Sequence, residues 1–77
     1  MGYDYSKLEG RIIEKFGTRE SYAKESGITA KSIYDKLNNK TIWKQPEISK
    51  AMDLLSISGE ELELYFFKKK AHNTEQE

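Results

Sequence analysis

Apolar residues recur every three or four positions from Tyr5 to Phe16, as Tyr5, Leu8, Ile12 and Phe16 with Ile13 alongside. That spacing draws one stripe along an amphipathic helix whose other side carries Lys7, Glu14 and Lys15. Asp4 is placed to cap its start. Gly17 is placed to end it, because glycine leaves a helix at positive φ without a Cβ clash. Gly10 lies inside the stripe and weakens the helix slightly; its expected role is to let another helix approach closely.

The stretch from Thr18 to Asn39 organises the rest. Tyr22 and Ala23 give a short second helix, at about 19–26, its inward side, with Thr18 as N-cap. Gly27 tolerates the sharp turn that follows. Thr29 then caps a third helix, at about 30–38, on which Ile33 and Leu37 share a buried face. A small residue at Ala23, then Gly27, Ile28 and Ile33, has the spacing of a helix-turn-helix unit. Beyond it, Asn38-Asn39-Lys40 breaks the pattern and Thr41-Ile42-Trp43-Lys44-Gln45 shows no period. Pro46 suits the first turn of a fourth helix that turns Ile48, Ala51, Met52 and Leu55 inward. Trp43 reads as a lid over the core between helices three and four; the sharper alternative has its indole N–H, or the neighbouring lysines, on a phosphate. Ser58 with Glu61 forms a capping box for a fifth helix, with acids at its positive end and Lys68, Lys69 and Lys70 at its negative end. Leu62, Tyr65 and Phe66 share its buried side. Leu64 and Phe67 point away, and surplus apolar surface of this kind marks a partner site. The tail at 71–77 is polar and is expected to fray, and His72 within it reads as no ligand. The pattern predicts an all-α, compact five-helix domain over residues 1–70 with a central helix-turn-helix.

Composition narrows the chemistry. The 77 residues make one domain, and a core of this size supplies only about 3–5 kcal/mol. No cysteine is present, which removes disulfides, thiolate chemistry and cysteine-ligated metals and fits a reducing cytoplasm. The start MGYDYSKLEGR has no apolar run, so neither a signal peptide nor a membrane span is expected. Met1-Gly2…Ser6 matches a loose myristoylation pattern and Asn39-Lys40-Thr41 a glycosylation sequon; both are discounted. With no Gly-rich phosphate loop and no set of metal ligands, the chain reads as no enzyme, with no cofactor and no metal site. The net charge is zero, which argues against nucleic acid, since counterion release usually needs a basic domain. Charge is uneven, however. Lys31, Lys36, Lys40 and Lys44 gather between Thr29 and Gln45 against Asp35 alone, while Glu60, Glu61, Glu63, Glu75 and Glu77 lie elsewhere. A neutral total can therefore hide a basic face.

Ala23, Gly27, Ile28, Ile33 and Leu37 fill the packing positions of the phage repressor and Cro helix-turn-helix, and this region resembles the XRE-type, lambda-repressor-like regulators. The wider context YDYSKLEGRIIEKFG…LNNKTIWKQPEISKAMDLLSIS…YFF is similar to short Cro-like proteins of prophages in Gram-positive bacteria. The resemblance implies a sequence-specific DNA-binding repressor whose third helix enters the major groove of double-stranded operator DNA. On that implication Thr29, Lys31, Ser32, Tyr34 and Asp35 read bases, with Asn38 on the same outer side. Arg19 and Ser21, on the free N–H groups of helix two, contact phosphate together with Lys40, Lys44 and Gln45. Lys31 can donate to guanine and Asp35 can accept from cytosine. Lys31 also lies four residues before Asp35, so the two can instead pair along the helix. That pairing opens an alternative class: an antirepressor or modulator that binds a phage repressor protein, through this face or through Leu64 and Phe67. A homodimer through helix five would set two reading helices about 34–36 Å apart.

Overall fold

The computed structural model describes residues 2–70; the expected fraying of the tail, and His72, lie outside the described residues. Five helices follow one another: α1 (Ser6–Phe16), α2 (Arg19–Ser26), α3 (Ala30–Leu37), α4 (Gln45–Leu55) and, after a 3-10 turn at Gly59–Glu61, α5 (Leu62–Phe66). The caps explain the boundaries. Asp4 Oδ1 accepts from the Ser6 N–H at 3.0 Å and the Ser6 hydroxyl at 2.7 Å, starting α1 one residue later than a cap at Asp4 itself would. Gly17 ends α1 at φ 84°, its N–H donating to Ile13 O. Thr18 Oγ1 accepts from Ser21 N–H and Thr29 Oγ1 from Ser32 N–H, at 3.0 and 3.1 Å, so α2 and α3 each open on a threonine cap. Between them Gly27 holds φ 80°, in the left-handed region, and donates to Ala23 O.

The apolar stripes converge on one core. Leu8 and Ile12 of α1, Tyr22 of α2, Ile33 of α3, Ala51 and Leu55 of α4 and Phe66 of α5 are all but fully buried. Each large aliphatic or aromatic side chain among them contributes about 1.5–3 kcal/mol by leaving water. α1 packs against α2, α4 and α5, and α2 packs against α3 and α4. Arg11 ties α1 to the end of α4, its Nε donating to Leu55 O at 2.8 Å.

Three expectations give way. Gly10 meets nothing within 4 Å of the position a Cβ would take, so no helix approaches there. The fifth helix stops at Phe66 instead of running to the lysines. Its last residues turn back as extended chain along the N-terminus: Asp4 N–H donates to Lys68 O at 2.6 Å, and Lys70 N–H donates to Gly2 O at 3.1 Å. A bridge between Tyr3 and Lys69 completes this pairing. The charges of Lys68, Lys69 and Lys70 thus lie along the paired termini. Lys36, counted with the basic cluster, is buried. Its Nζ donates to Ile42 O and pairs with Glu47 Oε1, each at 3.1 Å.

Candidate functional site

The outer side of α3 is the surface to which the sequence assigns function. Ile33, Lys36 and Leu37 face inward, which leaves Lys31, Tyr34 and Asn38 exposed and Ser32 and Asp35 half-buried. Lys31 Nζ lies 3.3 Å from Asp35 Oδ2, so the pairing along the helix does form. An exposed pair of this kind adds only about 0.3–0.5 kcal/mol, so it settles charge more than stability. Tyr34 is 48% exposed, and the Arg19 guanidinium sits 5.9 Å from its ring centroid while also pairing with Glu9. The face therefore presents a tyrosine backed by an arginine, beside a lysine whose charge an aspartate largely offsets.

The groups assigned to phosphate are more scattered. Ser21 stands at the start of α2, but its N–H is not free, because Thr18 Oγ1 accepts from it and its hydroxyl also bonds Thr18. Thr29 is occupied in the same manner by Ser32. Asn38 turns back, its amide donating to Tyr34 O at 2.8 Å to close the end of α3. Lys40, Lys44 and Gln45 are exposed in the segment from the end of α3 to the start of α4. With Lys31 offset by Asp35 and Lys36 by Glu47, Lys40 and Lys44 alone keep the charge counted between Thr29 and Gln45. Leu64 and Phe67 are 49% and 45% exposed on α5 and just after it.

Three features escaped the sequence reading. One is the Lys36–Glu47 pair, joining α3 to α4. Burial pushes the Glu47 carboxyl up, but the Lys44 N–H bond, the Lys36 bond and charge, and the Lys44 charge outweigh it and hold the group below its ordinary value. Its signal was present: Ile33, Lys36 and Leu37 fall at the spacing of one buried stripe. The second is Asn39, at φ 64°, whose side chain clasps the N-terminal segment. Its Oδ1 accepts from Tyr3 N–H at 3.0 Å and its Nδ2 donates to Tyr3 O at 2.9 Å. Asparagine favours that backbone region, which makes Asn39 a legible turn residue, though its partner is not legible. The third is an aromatic series. Trp43 is buried edge-on to Phe66 at 5.3 Å and to Tyr5 at 6.3 Å, while Tyr3 meets Tyr5 and Phe67. Trp43 is thus the lid, and its indole N–H has no partner among the described residues.

Among the described residues no group of three or more His, Asp or Glu side chains is placed to hold a metal ion, and no helix is long and apolar enough to cross a membrane. Among curated proteins none matches the chain. Among solved structures it is similar to the modulator of repression (MOR) of the temperate bacteriophage TP901-1 from Lactococcus lactis. That likeness has 42% sequence identity and a TM-score of 0.76, and it covers 94% of this chain and 97% of the phage protein. Residues 1–69 match the profile of a family described as "protein of unknown function (DUF739)". With all but the last residues inside that match, the chain belongs to the DUF739 family.

Proposed function

We propose that this protein modulates a phage repressor by binding the repressor protein through the outer side of α3. The observation that carries this reading is the likeness, along nearly the whole chain, to a phage modulator of repression. The chemistry of the face supports it. Tyrosine and arginine are the side chains that most often anchor protein interfaces, and Tyr34 and Arg19 stand together here. Lys31 and Asp35 offer both signs of charge, which suits a mixed protein surface better than a uniformly negative duplex.

The test is a titration of the phage-type repressor encoded in the same genome, followed by size-exclusion chromatography and by anisotropy of labelled operator DNA. The expected outcome is a stable complex with the repressor, little affinity of this protein alone for the operator, and an altered affinity of the repressor for its site. Tyr34→Ala is expected to weaken the complex about tenfold or more. A repressor that elutes and binds DNA unchanged would overturn the reading.

Operator binding by the protein itself is the second reading, favoured by Lys40 and Lys44 standing exposed just beyond α3. It expects a steep salt dependence, with Lys31→Ala relaxing sequence choice and Lys44→Ala weakening all sequences alike. Weak, sequence-independent binding would end it.

A further inference from the structure

An apolar groove of about 280 Å³ opens between the paired termini and the segment joining α3 to α4. Tyr3, Ile42, Trp43, Ile48, Phe66 and Phe67 line it. Three of these stay in water: Ile42 is 78% exposed, Phe67 45% and Tyr3 36%. None of them shares the outer side of α3 with Lys31, Tyr34 and Asp35.

The walls are fixed from behind. Lys36 Nζ holds the backbone of Ile42 through its carbonyl while pairing with Glu47. The Asn39 side chain fastens the backbone of Tyr3 on both its N–H and its C=O. Lys68 and Lys70 bind the same N-terminal segment through backbone hydrogen bonds. An exposed isoleucine that its own fold leaves in water, on a segment held at several points, is a pre-organised contact.

The rim is basic. Lys40 lies between the lining residues Asn39 and Thr41, Lys44 follows Trp43, and Lys68, Lys69 and Lys70 follow Phe67. All five are exposed, and none is in an ion pair among the described residues. The acids nearest in sequence to the lining residues are Asp4, which accepts from Ser6 and feels Lys68 and Lys70, and Glu47, which pairs with Lys36 and feels Lys44, so two acids stand against five lysines. Positive charge around an apolar floor repels basic partners and draws carboxylates.

We infer that this groove docks a protein segment presenting a large apolar side chain flanked by carboxylates. The apolar side chain covers Ile42, Trp43 and Phe67, and the flanking acids meet the lysine rim. This surface is distinct from the face proposed to bind the repressor, so it is tested without the repressor.

The probe is a short acetylated peptide in which a Leu-Phe pair is flanked on both sides by glutamates, titrated into the full chain. Trp43 is the only tryptophan, so its buried indole N–H gives a single NMR signal from a residue that lines the groove. The expected result is a saturable shift of that signal and of Tyr3, Asn39, Ile42 and Phe67, with Tyr34 and Lys31 unmoved. Replacing the glutamates with glutamines is expected to weaken binding about threefold or more, and added salt to do the same. Ile42→Asp, at a position its fold leaves in water, is expected to abolish binding at unchanged melting temperature. Lys44→Glu supplies a second variant that keeps the floor intact and lowers affinity. Absence of a saturable shift would overturn the proposal, as would equal binding of the glutamine peptide. Dilution alone moving the same signals without peptide would also overturn it, by making a second copy of the chain the occupant.

Discussion

At the scale of single residues, two positions carry sharp tests because their surroundings are simple. Gly10 stands in the middle of α1 with open space where its Cβ would be, and its backbone is helical. A glycine there spends conformational freedom that alanine would not, so Gly10→Ala is expected to stabilise the protein by about 0.5–1 kcal/mol in urea unfolding. A loss of stability would mean that something approaches α1 at this point. Tyr22 is fully buried, yet its hydroxyl has no hydrogen-bond partner among the described residues. Removing an unsatisfied buried hydroxyl while keeping the ring, which packs edge-on against Phe16, takes away a desolvation cost. Tyr22→Phe is therefore expected to leave stability unchanged or raise it by about 1 kcal/mol. A drop of similar size would reveal a partner for the hydroxyl. The sequence shows the burial of Tyr22, from its place beside Ala23, but not the orphaned oxygen, because the spacing of a side chain says nothing about the atoms that meet its tip.

At the scale of elements, what was legible depended on the range of the interaction. α1, α2 and α3, with the threonine caps and the glycine turns, follow from residues within a few positions of one another, and the sequence predicts their bounds to within one or two residues. The fifth helix does not follow. Its acidic start and lysine-rich end fit a longer helix on local grounds, but pairing with the N-terminal segment takes Lys68 and Lys70 out of it. That competitor lies more than sixty positions away and leaves no periodic trace. The candidate surface divides in the same fashion. The exposed side of α3 was readable from helical spacing, whereas the removal of Lys36 from the basic face by Glu47, and the clasp of Asn39 on Tyr3, depend on contacts between distant parts of the chain. The clasp gives the prediction at this scale. Asn39→Ala removes two side-chain hydrogen bonds to the backbone of Tyr3 and leaves a Cβ-bearing residue at φ 64°. The expected cost is about 1–3 kcal/mol, with amide exchange of Tyr3 and Lys70 quickened more than that of Leu8. Uniform quickening would mean that the termini do not open separately from the core.

At the scale of the whole molecule, zero net charge does not mean indifference to pH, because particular charges join elements. Glu47 joins α4 to α3 through Lys36, and Asp4 fastens the start of α1 beside the lysines of the opposite terminus. Both carboxyls are held below their ordinary values of 4.5 and 3.8. For Asp4 the hydrogen bonds from the Ser6 side chain and backbone lead, burial opposes them, and the charges of Lys68 and then Lys70 add a smaller lowering. A carboxyl whose pKa is lower folded than unfolded contributes stability that is complete above the unfolded value. That contribution fades as pH falls through the folded one. Tyr22 gives the mirror case: burial first, then the Glu47 charge, push it from 10.0 up to about 12, so its contribution is complete below 10 and is lost as pH rises towards 12. The urea midpoint is therefore expected to be level between neutral pH and about 5, then to fall below about 4.5. Glu47→Gln separates the two acidic contributions. It removes the titrating group that is set against Lys36, so it should lower the neutral plateau and flatten the acid limb. Asp4→Asn should flatten the limb less, since the lysines near Asp4 are exposed and salt screens their charges. An acid limb that keeps its full steepness in Glu47→Gln would show that the tie between α3 and α4 is not what acid unfolding breaks, and would place the sensitive contact at the paired termini.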